Sequence, residues 1–286
     1  MNHATLEARI TDVLGIGPRR IGPLSGGCIG EVYAVDFHGA ERVVVKHNPA
    51  VDAKLDIEAF MLQYLAEHSA LPVPAVRFAA PDLLIMEFID GESQFDQHAE
   101  THAAELLAAL HACRADEHGL ERDTLIGGLH QPNPRTSSWI EFFREHRIMY
   151  MARKAHEEGQ IDTTMLTKIE SFTHTFDDLL LEPPHPSLLH GDVWTTNVLA
   201  QSGRITSFID PAVYFGHPEI ELAFTTLFGT FGDAFFKRYQ ELRPIPEGFF
   251  DTRRDIYNCY PLLVHVRLFG PSYVSGIDRV LSRHGC

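Results

Sequence analysis

No stretch of about 20 consecutive apolar residues occurs in this chain, which excludes a membrane-spanning helix of ordinary length. Cysteine is scarce. There are 4, at Cys28, Cys113, Cys259 and Cys286, with no C-x-x-C pair and no Cys/His spacing. That pattern argues against a zinc site and against a disulfide scaffold. Basic residues are in short supply, 24 Lys and Arg against 39 Asp and Glu, for a formal charge of −15. Such a field repels a phosphodiester backbone, so no nucleic-acid partner and no membrane partner is expected. A small anionic ligand stays compatible with it where positive groups are focused locally. Repeats and low-complexity tracts are also missing. The opening MNHATLEARITDVLG lacks the basic-then-apolar order of an export signal, and a cytoplasmic location is the default expectation.

What remains is the composition of an ordinary globular protein, 44% apolar and 22% charged. Its 286 residues suffice for one large domain or for two lobes. Residues 1–90 read as mixed α and β. A helix with a Leu6/Ile10/Val13/Leu14 stripe precedes SGGCIGEVYAVDF, a turn at His38-Gly39 and RVVVK, which together suggest a hairpin. DAKLDIEAFMLQYLAE then shows a helical apolar period, with Asp52 as its N-cap. LLIMEFI, residues 83–89, is a buried strand ending at Asp90-Gly91. Residues 91–286 are largely helical, with helices expected over 98–113, 136–155, 162–181, 218–229, 232–242, 252–269 and 272–283. Two short strands are expected near 198–201 and 205–209. The fold class expected is α+β: a small β-rich N-lobe, a short hinge and a larger, mainly helical C-lobe.

Five features recur in one order along the chain. In SGGCIGEVY, Ser25, Gly27, Gly30 and Val32 fall on the spacing G-x-G-x-x-G-x-V, with Ser in place of the first Gly. A turn of this kind lets backbone N–H groups approach phosphates, although most Gly-rich turns are only turns. Lys46 closes the next strand, where a lysine either snorkels to solvent or grips phosphates. Glu58 shares a helix face with Met61, Leu62 and Leu65, and a carboxylate on a buried face requires a cation. Asp56 is its rival, but its i+7 neighbour is Gln63. In LLHGDVWTTNVLA, Asp192 and Asn197 stand as D-x-x-x-x-N, unless Asp192 merely caps a turn. This is the spacing of a kinase catalytic loop, with His190-Gly191 in place of His-Arg. In that motif the Asp orients and deprotonates the attacking hydroxyl, and the Asn oxygen ligates Mg²⁺. Asp210 in FIDPA follows as the second Mg²⁺ carboxylate, beside ATP phosphates.

These residues resemble the protein-kinase-like superfamily, in its small-molecule branch with HGD in the catalytic loop. Within it the chain is most similar to the fructosamine kinase (ketosamine 3-kinase) family. HGDVW with Asn197, DPAVYFGHPEIELA, IGGLHQPNPRTSSWIEFFREHRI and LFGPSY carry the resemblance over nearly the whole chain. Thr195-Thr196 and Arg135 depart from the family pattern and bear on acceptor preference. The resemblance implies a bilobal protein-kinase-like fold and ATP-dependent phosphorylation of the C3 hydroxyl of a sugar-derived ketoamine. The phosphate then becomes a leaving group and the amine is released, a deglycation repair. The alternatives are a kinase of another small alcohol (aminoglycoside, choline or homoserine-like) and a nucleotide-binding pseudokinase.

Further expectations attach to single segments. The adenine of ATP is expected against Glu87, Phe88 and Ile89, flanked by Met86, with Gly26 and Cys28 among the phosphate-loop residues. Trp194 and His217 flank the acceptor, Trp194 either stacking on a sugar face or simply packing. Glu219 and Glu221 are expected to anchor the segment after Asp210 by pairing with an Arg. The short segment between Asp210 and Glu219 leaves no room for a switchable activation loop. A monomer is expected, with a redox-linked dimer through Cys28 as the alternative, since a backbone built to hold phosphate also favours a reactive thiolate.

Overall fold

The computed structural model describes residues 3–24 and 30–285. Helix α1 (His3–Leu14) precedes a five-stranded antiparallel sheet, β1 (Arg20–Pro23), β2 (Glu31–Asp36), β3 (Val43–His47), β4 (Val76–Ala80) and β5 (Leu83–Glu87), with α2 (Leu55–His68) between β3 and β4. The strand order is β1-β2-β3-β5-β4. Alternation along β3 and β5 explains why both read as unbroken apolar runs. Val45, Leu83 and Ile85 face α1 through Leu6 and Ile10, whereas Leu84 and Met86 face α2 through Leu55, Ala59 and Leu62. A sheet covered on both faces needs apolar residues at both parities. Lys46 has the parity of Val44, so its side chain emerges on the α2 side.

Helix α2 corrects one expectation. It starts at Leu55 after Lys54, which supplies no side-chain cap, so Asp52 is not the N-cap. A turn from Ala50 to Ala53 leads in, and the Leu55 N–H donates instead to the Pro81 carbonyl at 2.9 Å. β5 ends at Glu87, two residues before the apolar run does. The edge strands β1 and β4 were not expected. β1 holds Gly22 and Pro23, and neither edge strand is buried enough to show a clear apolar signal.

The remaining chain is mainly helical. In order come α3 (Gln97–Leu110), the hairpin β6 (Thr124–Ile126) and β7 (Leu129–Gln131), α4 (Trp139–Phe143), α5 (Tyr150–Glu157), α6 (Thr163–Thr173) and α7 (Phe176–Leu179). A π-helical turn over 144–149 joins α4 to α5, and the helix expected over 162–181 breaks between α6 and α7. β8 (Ser187–Leu189), β9 (Val198–Gln201), β10 (Arg204–Phe208) and β11 (Tyr214–Gly216) follow, then α8 (Pro218–Leu227), α9 (Asp233–Leu242), α10 (Arg254–Phe269) and α11 (Val274–Arg283). Every residue of α10 from Ile256 to Val266 is buried, so it is the axis of this part. The β-sheet part and the helical part have the architecture of a protein-kinase-like fold.

Candidate active site

Two small sheets hold the HGD segment. β8 pairs with β11, Leu189 opposite Tyr214, and β9 pairs with β10. Between β8 and β9 the chain passes through His190-Gly191-Asp192 and a 3₁₀ turn, Thr195–Asn197. The Ala212 N–H donates to the His190 carbonyl at 2.7 Å, which ties this loop to the segment after Asp210. At Gly191, φ is +86° and a Cβ would lie 2.1 Å from the Ala212 carbonyl oxygen. This explains why glycine stands where protein kinases carry arginine. The freed Gly191 N–H donates to Glu221 Oε1 at 2.6 Å, and Glu221 Oε2 is 2.9 Å from His111 Nε2. Burial works against the Glu221 charge, but these partners hold its carboxyl below the ordinary value. Glu221 therefore anchors the loop through His111 and a backbone amide rather than through an Arg.

Asn197 turns both amide hydrogens toward Asp192, donating to its backbone carbonyl at 3.0 Å and its carboxylate at 2.8 Å. Asn197 Oδ1 is left with only a long contact from the Thr196 hydroxyl, at 3.5 Å. Burial, reinforced by the nearby Asp210, pushes the Asp192 carboxyl up to about 8. Asp210 has φ of +53°, an uncommon left-handed conformation for a non-glycine residue and one found at functional sites. Lys46 Nζ lies 2.6 Å from Glu58 and also pairs with Asp210. Burial opposes the lysine charge, yet two carboxylates raise its pKa above the ordinary value.

Lys46, Glu58, Asp192, Trp194, Asn197 and Asp210 all line one cavity of about 300 Å³. The sequence placed these six on elements far apart in the chain, and the fold brings them together. Thr196, one of the departing positions, is also in its wall. Two wall elements carried no site expectation: the glycine pair Gly127-Gly128 at the tip of the β6–β7 hairpin, and Asp52, expected only as a helix cap, with Lys54 at the entry to α2. An apolar run broken by Gly-Gly is a readable hairpin signal, so β6–β7 was accessible to sequence reasoning.

The remaining expected residues lie elsewhere. Met86 is buried against α2, and its neighbours Glu87 to Ile89 are half-buried where the sheet passes into the helical part. None of the four lines the cavity. The Glu87 N–H donates to the Ala75 carbonyl at 2.9 Å, and the Phe88 ring lies 4.8 Å from the Arg42 guanidinium. Val32 pairs with Lys46 across β2–β3, and a Cβ on Gly30 would come within 2.7 Å of the His47 carbonyl oxygen. Ser25, Gly26, Gly27 and Cys28 lie outside the described residues.

His217 is corrected. It is buried between Trp139 and Tyr257 and does not line the cavity. Its Nδ1 accepts the Glu219 N–H at 3.1 Å, capping α8, and burial pushes its pKa down to about 3. Glu219 takes the arginine, a buried two-pronged pair with Arg253 at 2.7 Å on each prong. The HPE segment therefore anchors the fold beside the site.

The donor set fits a hard divalent cation. Among the described residues no group of three or more His, Cys, Asp or Glu forms a metal cluster. Asn197 and Asp210 instead offer two oxygen ligands in a cavity where Asp52, Glu58, Asp192 and Asp210 outnumber Lys46 and Lys54. Mg²⁺ is characteristically held this way, by one or two side chains with phosphate oxygens and water completing the shell.

Comparison with known proteins accords with this geometry. A thermostable mutant of an aminoglycoside phosphotransferase, bound to a nucleotide analogue and hygromycin B, matches over 98% of this chain and 99% of its own, with a TM-score of 0.70 at 18% identity; this likeness concerns the fold alone. A crystal structure of a candidate fructosamine-3-kinase from Thermobifida fusca superposes with a TM-score of 0.86 at 31% identity, covering 98% of this chain and 99% of that one. A probable ketoamine kinase of Vibrio parahaemolyticus is 35% identical over 91% of this chain and 90% of its own length. The chloroplastic protein-ribulosamine 3-kinase of Arabidopsis thaliana is 32% identical over 92% and 81%. The model of the fructosamine kinase family matches residues 4–284, and with relatives above 30% identity along nine-tenths of its length the chain belongs to that family.

Proposed function

We propose that this protein transfers the γ-phosphoryl group of ATP to the C3 hydroxyl of ketoamines, the adducts of sugars with amines. The observation that carries the reading is the convergence of Lys46, Asp192, Asn197 and Asp210 on one cavity in a chain of this family. Asp192 accepts the proton of the acceptor hydroxyl. Its carboxylate lies in the cavity wall and is held there by the Asn197 amide, the position a general base needs. Asn197 holds Asp192 in place through its amide hydrogens, and its oxygen with the Asp210 carboxylate would hold Mg²⁺. Bound Mg²⁺ supplies charge neutralisation for the phosphates. Lys46, fixed by Glu58, grips those phosphates, and the adenine meets the backbone of Glu87 to Ile89 next to Met86. Catalysis of this kind is positioning plus electrostatics. With a carbonyl at C2, loss of a C1 proton gives an enaminol from which the C3 phosphate leaves as inorganic phosphate, and water then hydrolyses the resulting C1 imine to free the amine.

The test is mass spectrometry of fructose-, ribose- and erythrose-derived ketoamines incubated with enzyme and Mg-ATP, alongside aminoglycosides, choline and homoserine. ATP-dependent gain of one phosphoryl group on a ketoamine is the expected result. Phosphorylation of the other alcohols alone would replace this reading, and no ATP consumption with any acceptor would mark a pseudokinase.

A further inference from the structure

From Trp194, which lines the cavity, a continuous row of rings leads outward over the helical part. Trp194 and Phe228 have ring centroids 5.7 Å apart, Phe228 and His265 5.0 Å, and His265 and Phe269 5.3 Å. Tyr273 closes the row 5.0 Å from His265. Its outer members are open to solvent, Phe228 by 39% and Phe269 by 50%. The end of α10 meets the cavity rim at two independent points. His265 lies against Trp194, and a Cβ on the cavity-lining Gly127 would be 2.8 Å from Leu268 Cδ1. A lone exposed phenylalanine is unremarkable on any surface, but two in a row of rings continuing out of a cavity form a patch of the kind that binds ligands. The row carries no charge. Burial holds the His265 pKa below the ordinary value, and its Nδ1 lies 2.7 Å from the Pro261 carbonyl oxygen.

We infer that this row binds the amine portion of the acceptor, so that the enzyme favours ketoamines whose amine carries an apolar or aromatic group. The inference rests on the ketoamine kinase reading of the same cavity. The amine sits on C1, two carbons from C3, so with the C3 hydroxyl at Asp192 a substituent on that amine reaches beyond the sugar, and the rim that Trp194 and the end of α10 form is the apolar surface that would receive it. Flat apolar groups gain from edge and offset contacts with such rings.

The experiment compares kcat/KM for two ketoamines of one sugar, that of methylamine and that of phenylethylamine. The wild type is expected to favour the phenylethylamine adduct by about 10-fold, the size of one additional well-made aromatic contact. In Phe228→Ala and in Phe269→Ala this ratio falls toward 1, while Phe269→Leu, which keeps an apolar surface, retains most of it. Both phenylalanines are part-exposed, so truncation leaves the core intact, and thermal midpoints check this. A wild-type ratio near 1, or a ratio unchanged in both alanine variants, overturns the inference while leaving the ketoamine reading standing. Phosphorylation of neither adduct, nor of any other ketoamine, overturns that reading and the inference with it.

Discussion

Gly191→Ala is a single methyl group added beside Asp192, and the structure sets the size of its effect. At φ of +86° an alanine is strained by about 1–2 kcal/mol. The new Cβ would also lie 2.1 Å from the Ala212 carbonyl oxygen, so the two segments must part by about 1 Å to reach ordinary contact. Ala212 is poorly able to give way. Its carbonyl accepts Gln131 Nε2 at 3.0 Å and its N–H donates to the His190 carbonyl at 2.7 Å. The loop must move instead, and Asp192 is the next residue. A misplacement of about 1 Å lowers turnover by about 10². Strain and overlap together should cost about 2–4 kcal/mol of stability, a fall in thermal midpoint of about 4–8 °C. Gly159→Ala is the control. Its φ is +72° but no atom lies within 4 Å of the added Cβ, so it should lose only about 1 kcal/mol and keep its kcat. Coupled ADP release with a ketoamine acceptor and a thermal melt read both quantities. A Gly191→Ala enzyme with kcat within threefold of wild type would refute the reasoning.

Other consequences can be measured separately. Asp192→Asn should keep nucleotide binding while kcat falls by at least ~10², and near-normal turnover would remove Asp192 from the role of base. Asp210→Ala should abolish the Mg²⁺ dependence of nucleotide binding in calorimetry; unchanged Mg-ATP affinity would refute the metal assignment. Arg253→Met leaves Glu219 buried without its partner and should cost about 3–5 kcal/mol in urea unfolding, part of it recovered on adding Glu219→Gln. His217, held near 3 by burial, contributes stability that is complete above about pH 6.5 and is lost as pH falls toward its folded value, by about 1.4 kcal/mol per pH unit. His217→Asn keeps a capping acceptor without this titration, so its urea midpoint should fall less steeply between pH 6 and pH 4.5, and an identical slope would rule the linkage out.

How much of this was legible beforehand depended on the range of the interaction. Local pattern sufficed for α1, the β2–β3 hairpin, the buried strand β5 and most of the later helices, because each depends on apolar period and turn chemistry within a few residues. It sufficed to bring forward Lys46, Glu58, Asp192, Asn197 and Asp210, which the fold gathers at one cavity, because their types stand at the spacing of a kinase motif and Glu58 shows its facing by helical phase. Local pattern failed where partners are distant in sequence. Asp52 is a good capping residue, yet α2 starts later because Leu55 is drawn into the core and its N–H is taken by Pro81. His217 beside a catalytic segment looks like a substrate ligand, and only packing by Trp139 and Tyr257 makes it a buried cap.

The sequence by itself determined the fold class, through apolar period and turn chemistry, and its motifs carried the resemblance to the family that the comparisons show. Tertiary structure alone decided which carboxylate takes Arg253, why glycine is forced at position 191, and which rings continue from Trp194 out of the cavity. Glu219 and Glu221 are two residues apart in one helix turn and indistinguishable by type. One meets Arg253 and the other meets His111 and a backbone amide, because what surrounds a buried charge is set by chain segments 30 or more residues away.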